Sequence, residues 1–304
     1  MPTTPKSDAF ATWLQDVGPV VEQALGEGLK RFAPSAMSEA LFQALHYSLL
    51  GPGKRVRPAL CLLACEAHGG RREQALAPAV ALEAIHAYSL VHDDLPCMDD
   101  DALRRGRPTV HIAFDEASAV LAGDALQALA FQVLSEQEHA PNALAQVARL
   151  AQAAGANGMV GGQALDMAAE GREATLQAVL DLHRGKTGAL LEASLELGAL
   201  AAEVPPQRAQ AWQDFGHAVG LLFQATDDLL DATASSEVLG KTAGKDHAVG
   251  KATLASVLGL EGLRELIESE VRRADGALFA LELPPSEAQK ALAALPSFLA
   301  CRTR

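Results

Sequence analysis

The 304-residue sequence has few of the marks of a secreted, membrane-spanning or nucleic-acid-binding protein. It carries only four cysteines: Cys61, Cys65, Cys97 and Cys301. None forms a Cys-x-x-Cys pair and no histidine stands at zinc-finger spacing from them, which argues against a structural zinc site. Cys61 and Cys65 lie one helical turn apart in an apolar stretch and read as buried thiols in a reducing compartment. Residues 1–16 hold one lysine, then Asp8, Trp13 and Asp16, and lack the apolar core of a signal peptide. No apolar run reaches membrane-span length without a charge; Asp124 and Glu192 interrupt the two best. A soluble, cytoplasmic chain without stable membrane insertion is expected. Basic residues are outnumbered, 25 Lys and Arg against 38 Asp and Glu, for a formal net charge of −13. That balance disfavours nucleic acid and anionic membrane as main partners. No Walker spacing, EF-hand pattern or nucleophile triad is present.

Strand signals are scarce too. Apolar residues mostly recur at three-to-four spacing, and alanine, leucine, glutamate and glutamine dominate. The spacing predicts helices over 8–31, 36–50, 54–68, 73–94, 115–137, 141–156, 158–170, 173–201, 205–232, 253–281 and 285–300. Gly51, Gly69-Gly70 and Gly171 supply stops, and Pro34 and Pro205-Pro206 fall near starts. No fixed-period repeat or low-complexity linker divides the chain, so residues 1–304 read as a single all-α domain. Two connections, about 95–110 and about 233–252, exceed the usual length of ~4–6 residues.

Each long connection begins where an aspartate cluster ends. The first cluster is Asp93-Asp94-Leu95-Pro96-Cys97-Met98-Asp99-Asp100-Asp101, followed by Arg104-Arg105. Pro96 breaks the helix, so the chain can loop back and set Asp99 beside Asp93. The second places Gln224, Asp227, Asp228 and Asp231 at i, i+3, i+4 and i+7, one stripe of a helix. Crowded carboxylates repel unless a cation sits between them. Oxygen-only ligands suit Mg²⁺, which takes one or two carboxylates and leaves its other positions to water and phosphate. For either cluster the plainer alternative is a solvated acidic surface.

Cationic residues lie close behind. Lys54 and Arg57 are three apart at the start of a helix, where they can converge on phosphate. Arg104, Arg105, Lys186, Thr187 and Lys241 add donors. His86 lies two turns before Asp93 on the same face, where it either meets a diphosphate oxygen or is satisfied between helices. Tyr88, roughly 7.5 Å along the axis from Asp93, reads as a core aromatic. Gln163 and Asp166 stand one turn apart, in position to support the site from behind.

Taken in order, these motifs resemble the trans-polyprenyl diphosphate synthases, most nearly the bacterial farnesyl diphosphate synthases. The resemblance rests on Gly53-Lys54-Arg55-x-Arg57-Pro58, Asp93-Asp94-x-x-x-x-Asp99 with Arg104-Arg105-Gly106, Gly161-Gly162-Gln163-x-x-Asp166, Gly185-Lys186-Thr187-Gly188 and Phe223-Gln224-x-x-Asp227-Asp228-x-x-Asp231. It implies an isoprenoid-synthase helical bundle, usually a homodimer, with the clusters facing across a cavity. It further implies that Asp93, Asp99 and Asp227 hold Mg²⁺ ions, with Asp94, Asp228 and Asp231 in support. Arg104, Lys186, Thr187, Gln224 and Lys241 would contact the allylic diphosphate. Isopentenyl diphosphate would sit on Lys54, Arg57, His86 and Arg105. The implied catalytic set is Asp93, Asp94, Asp99, Arg104, Lys186, Asp227 and Lys241.

The position five before the first aspartate, where a bulky residue stops chain growth in that family, is Tyr88; a fifteen-carbon product is expected. Synthases of geranyl or geranylgeranyl diphosphate, and a non-catalytic partner subunit, are the alternatives. The sequence departs from the family pattern at Pro52-Gly53, at Leu254-Ala255 after Thr253, and in the terminal Cys301-Arg302-Thr303-Arg304.

Overall fold

The computed structural model describes residues 6–32, 37–137, 140, 142–169, 171, 174–233 and 253–302. The chain order begins with α1 (Lys6–Phe32), α2 (Glu39–Leu49), α3 (Val56–Ala67), a 3₁₀ turn (Arg72–Ala75) and α4 (Leu76–Asp93). A two-stranded hairpin follows, β1 (Leu103–Arg104) and β2 (Arg107–Pro108), then α5 (Val110–Ala113) and α6 (Glu116–Ser135). Next come α7 (Ala143–Ala154), α8 (Met159–Ala169), α9 (Leu176–His183), a π turn (Arg184–Gly188) and α10 (Ala189–Ala201). After a 3₁₀ turn (Pro206–Arg208), α11 (Ala209–Thr233), α12 (Leu254–Ala280) and α13 (Glu287–Cys301) complete it.

Two helices form the middle of the bundle. α4 is apolar almost all round and is enclosed by α1, α2, α3, α6 and α10. α11 packs along α12 and also touches α10 and α13. α10 therefore lies against both helices that carry an aspartate cluster. Asp115, Thr253 and Ser286 cap α6, α12 and α13 by accepting from the backbone N–H three residues on. Cys61 and Cys65 are buried; burial pushes the Cys61 thiol well up and the Cys65 thiol up to about 12, so both stay protonated and inert. By length and composition α6 is apolar enough to cross a bilayer, but it packs along α4.

The helices fall where the periodicity predicts them, with two corrections. The expected helix 173–201 is split by the π turn, because Lys186 meets a close neighbour there. A Cβ on Gly162 of α8 would lie 1.9 Å from the Lys186 backbone nitrogen, so only glycine lets α8 approach this closely. The expected loop 95–110 contains the β1–β2 hairpin, with Leu103 opposite Pro108 and Arg104 opposite Arg107. Its two turn residues, Arg105 and Gly106, both have positive φ (54° and 75°), which suits the twist of a tight hairpin.

Candidate active site

At the C-terminal end of α4 the chain reverses after Pro96. The Met98 N–H donates to the Leu95 carbonyl at 2.8 Å, and the Asp99 N–H donates to the Asp93 carbonyl at 2.9 Å. Asp99 thus lies beside Asp93, as the break at Pro96 implies. Burial pushes the Asp93 carboxyl up to about 6; Lys186 and Arg104 pull against this, while Asp99 and Asp94 add to it. Asp94 is buried and has its own partner. Arg104, held on the hairpin, donates Nε to Asp94 Oδ1 at 2.7 Å and brings Nη2 within 2.6 Å of the same atom.

A group of guanidinium side chains surrounds His86. Burial lowers its imidazole far below the usual range, and Arg57, Arg105, Arg104 and Arg55 lower it further, so it is neutral. Burial pulls the Arg57 guanidinium down to about 10, with Glu83 opposing and Arg105 adding to the effect. The Arg57 Nε is buried with no partner. An orphan donor among like charges fits an incoming anion. Arg105 donates to the Pro52 carbonyl at 2.6 Å, which ties the hairpin to the turn before α3. Arg55 has its donors engaged: from a left-handed backbone (φ 49°) it donates to Glu22 at 2.6 Å, Glu83 at 2.7 Å and the Gly51 carbonyl at 2.6 Å. The buried pair with Glu83 of α4 and the more exposed one with Glu22 of α1 tie both helices to the turn presenting Lys54 and Arg57.

The second cluster is more differentiated than its spacing suggests. Asp227 pairs with Arg302, whose guanidinium also donates to the Phe223 carbonyl at 2.8 Å and lies over the Phe223 ring at 4.1 Å. Burial raises the Asp227 carboxyl; Arg302 opposes this, Asp228 adds to it, and the Lys54 charge reaches it from α3's side. Asp228 is buried, accepts the Leu254 N–H at 2.6 Å, and lies 3.3 Å from His183 Nε2. Gln224 Nε2 is 3.1 Å from His183 Nδ1. Asp231 is exposed. The single inward acidic stripe is therefore corrected: Asp228 anchors the start of α12, and part of the compensating positive charge at Asp227 comes from Arg302. His183 carries no motif in the sequence, and Arg302 stands there only as part of the departing terminal segment, without the Asp227 pairing the structure gives it.

Lys186 sits in the π turn, paired with Asp166 of α8. That contact gives Gly162 and Asp166 their roles, packing and charge pairing behind the site. Thr187 is half-buried in the same turn, and the Gln163 Nε2 is buried without a partner. Lys241 lies outside the described residues. Tyr88 is buried; its hydroxyl has no hydrogen-bond partner, and burial with the nearby Asp93 charge pushes the phenol up to about 12. Among the described residues no three His, Cys, Asp or Glu side chains converge as a ready-made metal cage. Mg²⁺ does not require one, and the desolvated Asp93 beside Asp99 offers the oxygen-only donors it takes.

The Polyprenyl synthetase model matches residues 38–276. This chain belongs to the polyprenyl synthetase family. Among relatives of this synthetase, geranylgeranyl pyrophosphate synthase 9, chloroplastic, of Arabidopsis thaliana is 47% identical over 267 residues, covering 86% of this chain and 73% of its own length. Among solved structures, an FPP/GFPP synthase from Zymomonas mobilis in its apo form is 37% identical with a TM-score of 0.84, covering 97% of this chain and 100% of that one. A geranyltransferase from Legionella pneumophila is 34% identical with a TM-score of 0.83, each chain covered to 98%. The synthetase is thus a trans-prenyl synthase of the short-chain class with the helical fold of its neighbours.

Proposed function

We propose that this synthase joins isopentenyl diphosphate to dimethylallyl diphosphate, then to geranyl diphosphate, giving farnesyl diphosphate with Mg²⁺ as cofactor. The observation that carries the reading is the paired arrangement at the end of α4. Desolvated Asp93, with Asp99 beside it, lies near Lys186 and Arg104, next to the guanidinium groups of Arg57 and Arg105 around neutral His86. Two anions thus have adjacent, chemically different seats.

When bound through Asp93, Asp99 and Asp227, Mg²⁺ supplies charge stabilisation for the departing diphosphate. Lys186 and Arg104 add fixed positive charge at the same end. The allylic C–O bond breaks, its electron pair leaving with the diphosphate. The alkene of isopentenyl diphosphate, held by Lys54, Arg57, His86 and Arg105, attacks the allylic cation. A proton from the new chain then passes to the diphosphate. Lys241, Thr187 and Gln224 belong to the allylic seat in this reading, Gln224 oriented through His183.

Tyr88 supports the C15 assignment: a buried ring one and a half turns below Asp93 limits the depth available to the chain. The second reading is a C20 product, favoured by the similarity to a geranylgeranyl pyrophosphate synthase. Labelled isopentenyl diphosphate supplied with each allylic starter separates them. A dominant C15 product is expected, and a dominant C20 product refutes the choice. A homodimer is part of the proposal, supported by the exposed apolar side chains Ile112, Val120 and Leu121 on α5 and α6. Light scattering at micromolar concentration tests it, with a monomer mass counting against it.

A further inference from the structure

We infer that His92 and Gly123 form a brace that holds the Tyr88 ring in place, making both positions determinants of product length. This rests on the reading of Tyr88 as the floor of the chain pocket.

Tyr88 and His92 lie four residues apart on α4, one above the other. Their rings meet edge to face, with centroids 5.8 Å apart and planes at 77°. The Tyr88 hydroxyl has no hydrogen-bond partner. No polar contact fixes the ring, so its position depends on what packs beside it. His92, in contrast, is pinned. Its Nε2 lies 3.2 Å from the Val120 carbonyl on α6, which assigns the ring proton to that nitrogen. Three residues further along α6, position 123 has no side chain. A Cβ there would stand 2.0 Å from His92 Nε2 and 2.4 Å from Cδ2. The imidazole fills the slot left by glycine, and α4 and α6 are among the most closely packed helices in the molecule.

The three residues therefore act in series. Gly123 gives the imidazole room, the Val120 carbonyl orients it, and the imidazole blocks the direction in which the phenol ring would otherwise rotate. Removing the imidazole opens space beside Tyr88, and the ring can swing out of the path of a longer chain. Adding a methyl at position 123 has the same consequence by a different route, because it evicts the imidazole from its slot. Neither residue touches the reacting atoms; both are positioning residues acting through Tyr88.

The test is the product distribution from geranyl diphosphate and labelled isopentenyl diphosphate. It compares wild type, Tyr88→Ala, His92→Ala, Gly123→Ala and the Tyr88→Ala/His92→Ala double variant. The ratio of C20 to C15 is expected to rise about tenfold in His92→Ala and Gly123→Ala. The double variant is expected to match Tyr88→Ala, since two changes acting through one ring do not add. A merely structural role would lower turnover without moving this ratio. Unchanged ratios in both single variants, alongside a lengthened product in Tyr88→Ala, overturn the brace and leave the floor standing. An unchanged product in Tyr88→Ala overturns the floor itself. Because His92 adjoins Asp93, its variant can lose turnover. Gly123→Ala lies on another helix, and calorimetric binding of geranylgeranyl diphosphate gives a second readout. Tighter binding in either variant supports the brace, and equal binding in both refutes it.

Discussion

Asp93 shows how a largely buried carboxyl is held at a cost to stability. Its carboxyl is raised to about 6, chiefly by burial, from an ordinary value of 3.8. A raised acid stabilises the fold only while protonated, so that contribution is complete below pH 4 and lost as pH rises through 6. Asp93→Asn is expected to stabilise the metal-free protein at pH 8 by about 1–3 kcal/mol relative to wild type. The gain should vanish below pH 4, as urea melts at the two pH values would reveal. A stability difference independent of pH would show that desolvation is not the cause. Asp227 differs because Arg302 already opposes its burial. Arg302→Met should raise the Asp227 carboxyl further, a shift that carbon-13 NMR of labelled aspartate can follow. At this scale the sequence was readable only in part. The aspartates, arginines and Lys186 announced themselves by spacing, whereas His183 and Arg302 owe their places to partners 41 to 79 residues away.

At the scale of elements, the site is positioned by irregular backbone set between regular helices. Arg55, Asp100 and Arg105 all hold left-handed backbone (φ 49°, 48° and 54°), and each lies in a turn beside the site. Such residues cost about 1–3 kcal/mol each and persist only where surrounding contacts hold them. For Arg55 those contacts are Glu22, Glu83 and the Gly51 carbonyl. Arg55→Met leaves Glu83 buried without its partner and is expected to destabilise the fold by about 3–5 kcal/mol in a denaturant melt. A loss under 1 kcal/mol would mean that the pair does not brace the turn. The π turn is the second such device. Gly162→Ala drives a methyl into the Lys186 backbone and should lower kcat by about 100-fold through misplacement of the lysine. The long helices were legible because their apolar faces repeat with helical period. The π turn and the two-residue strands were not, since one extra residue or one backbone pair leaves no periodic trace.

Across the whole molecule, two central helices bring their aspartate-bearing segments into one bundle through their shared neighbour α10. The family and its fold were legible from five ordered motifs, because chemistry of this kind constrains residue type and spacing together. On the proposed reading, product length is a property of the pocket as a volume, set by Tyr88 and whatever supports its ring; the similar proteins carry names for different products. The central claim is that both aspartate clusters serve one diphosphate-leaving step. Its most direct measurement is incorporation of labelled isopentenyl diphosphate by Asp93→Ala and Asp227→Ala at saturating Mg²⁺, with helical content checked by circular dichroism. Turnover reduced by about 1,000-fold or more in each variant, with the helical signal unchanged, is the predicted result; near wild-type turnover in either would contradict it.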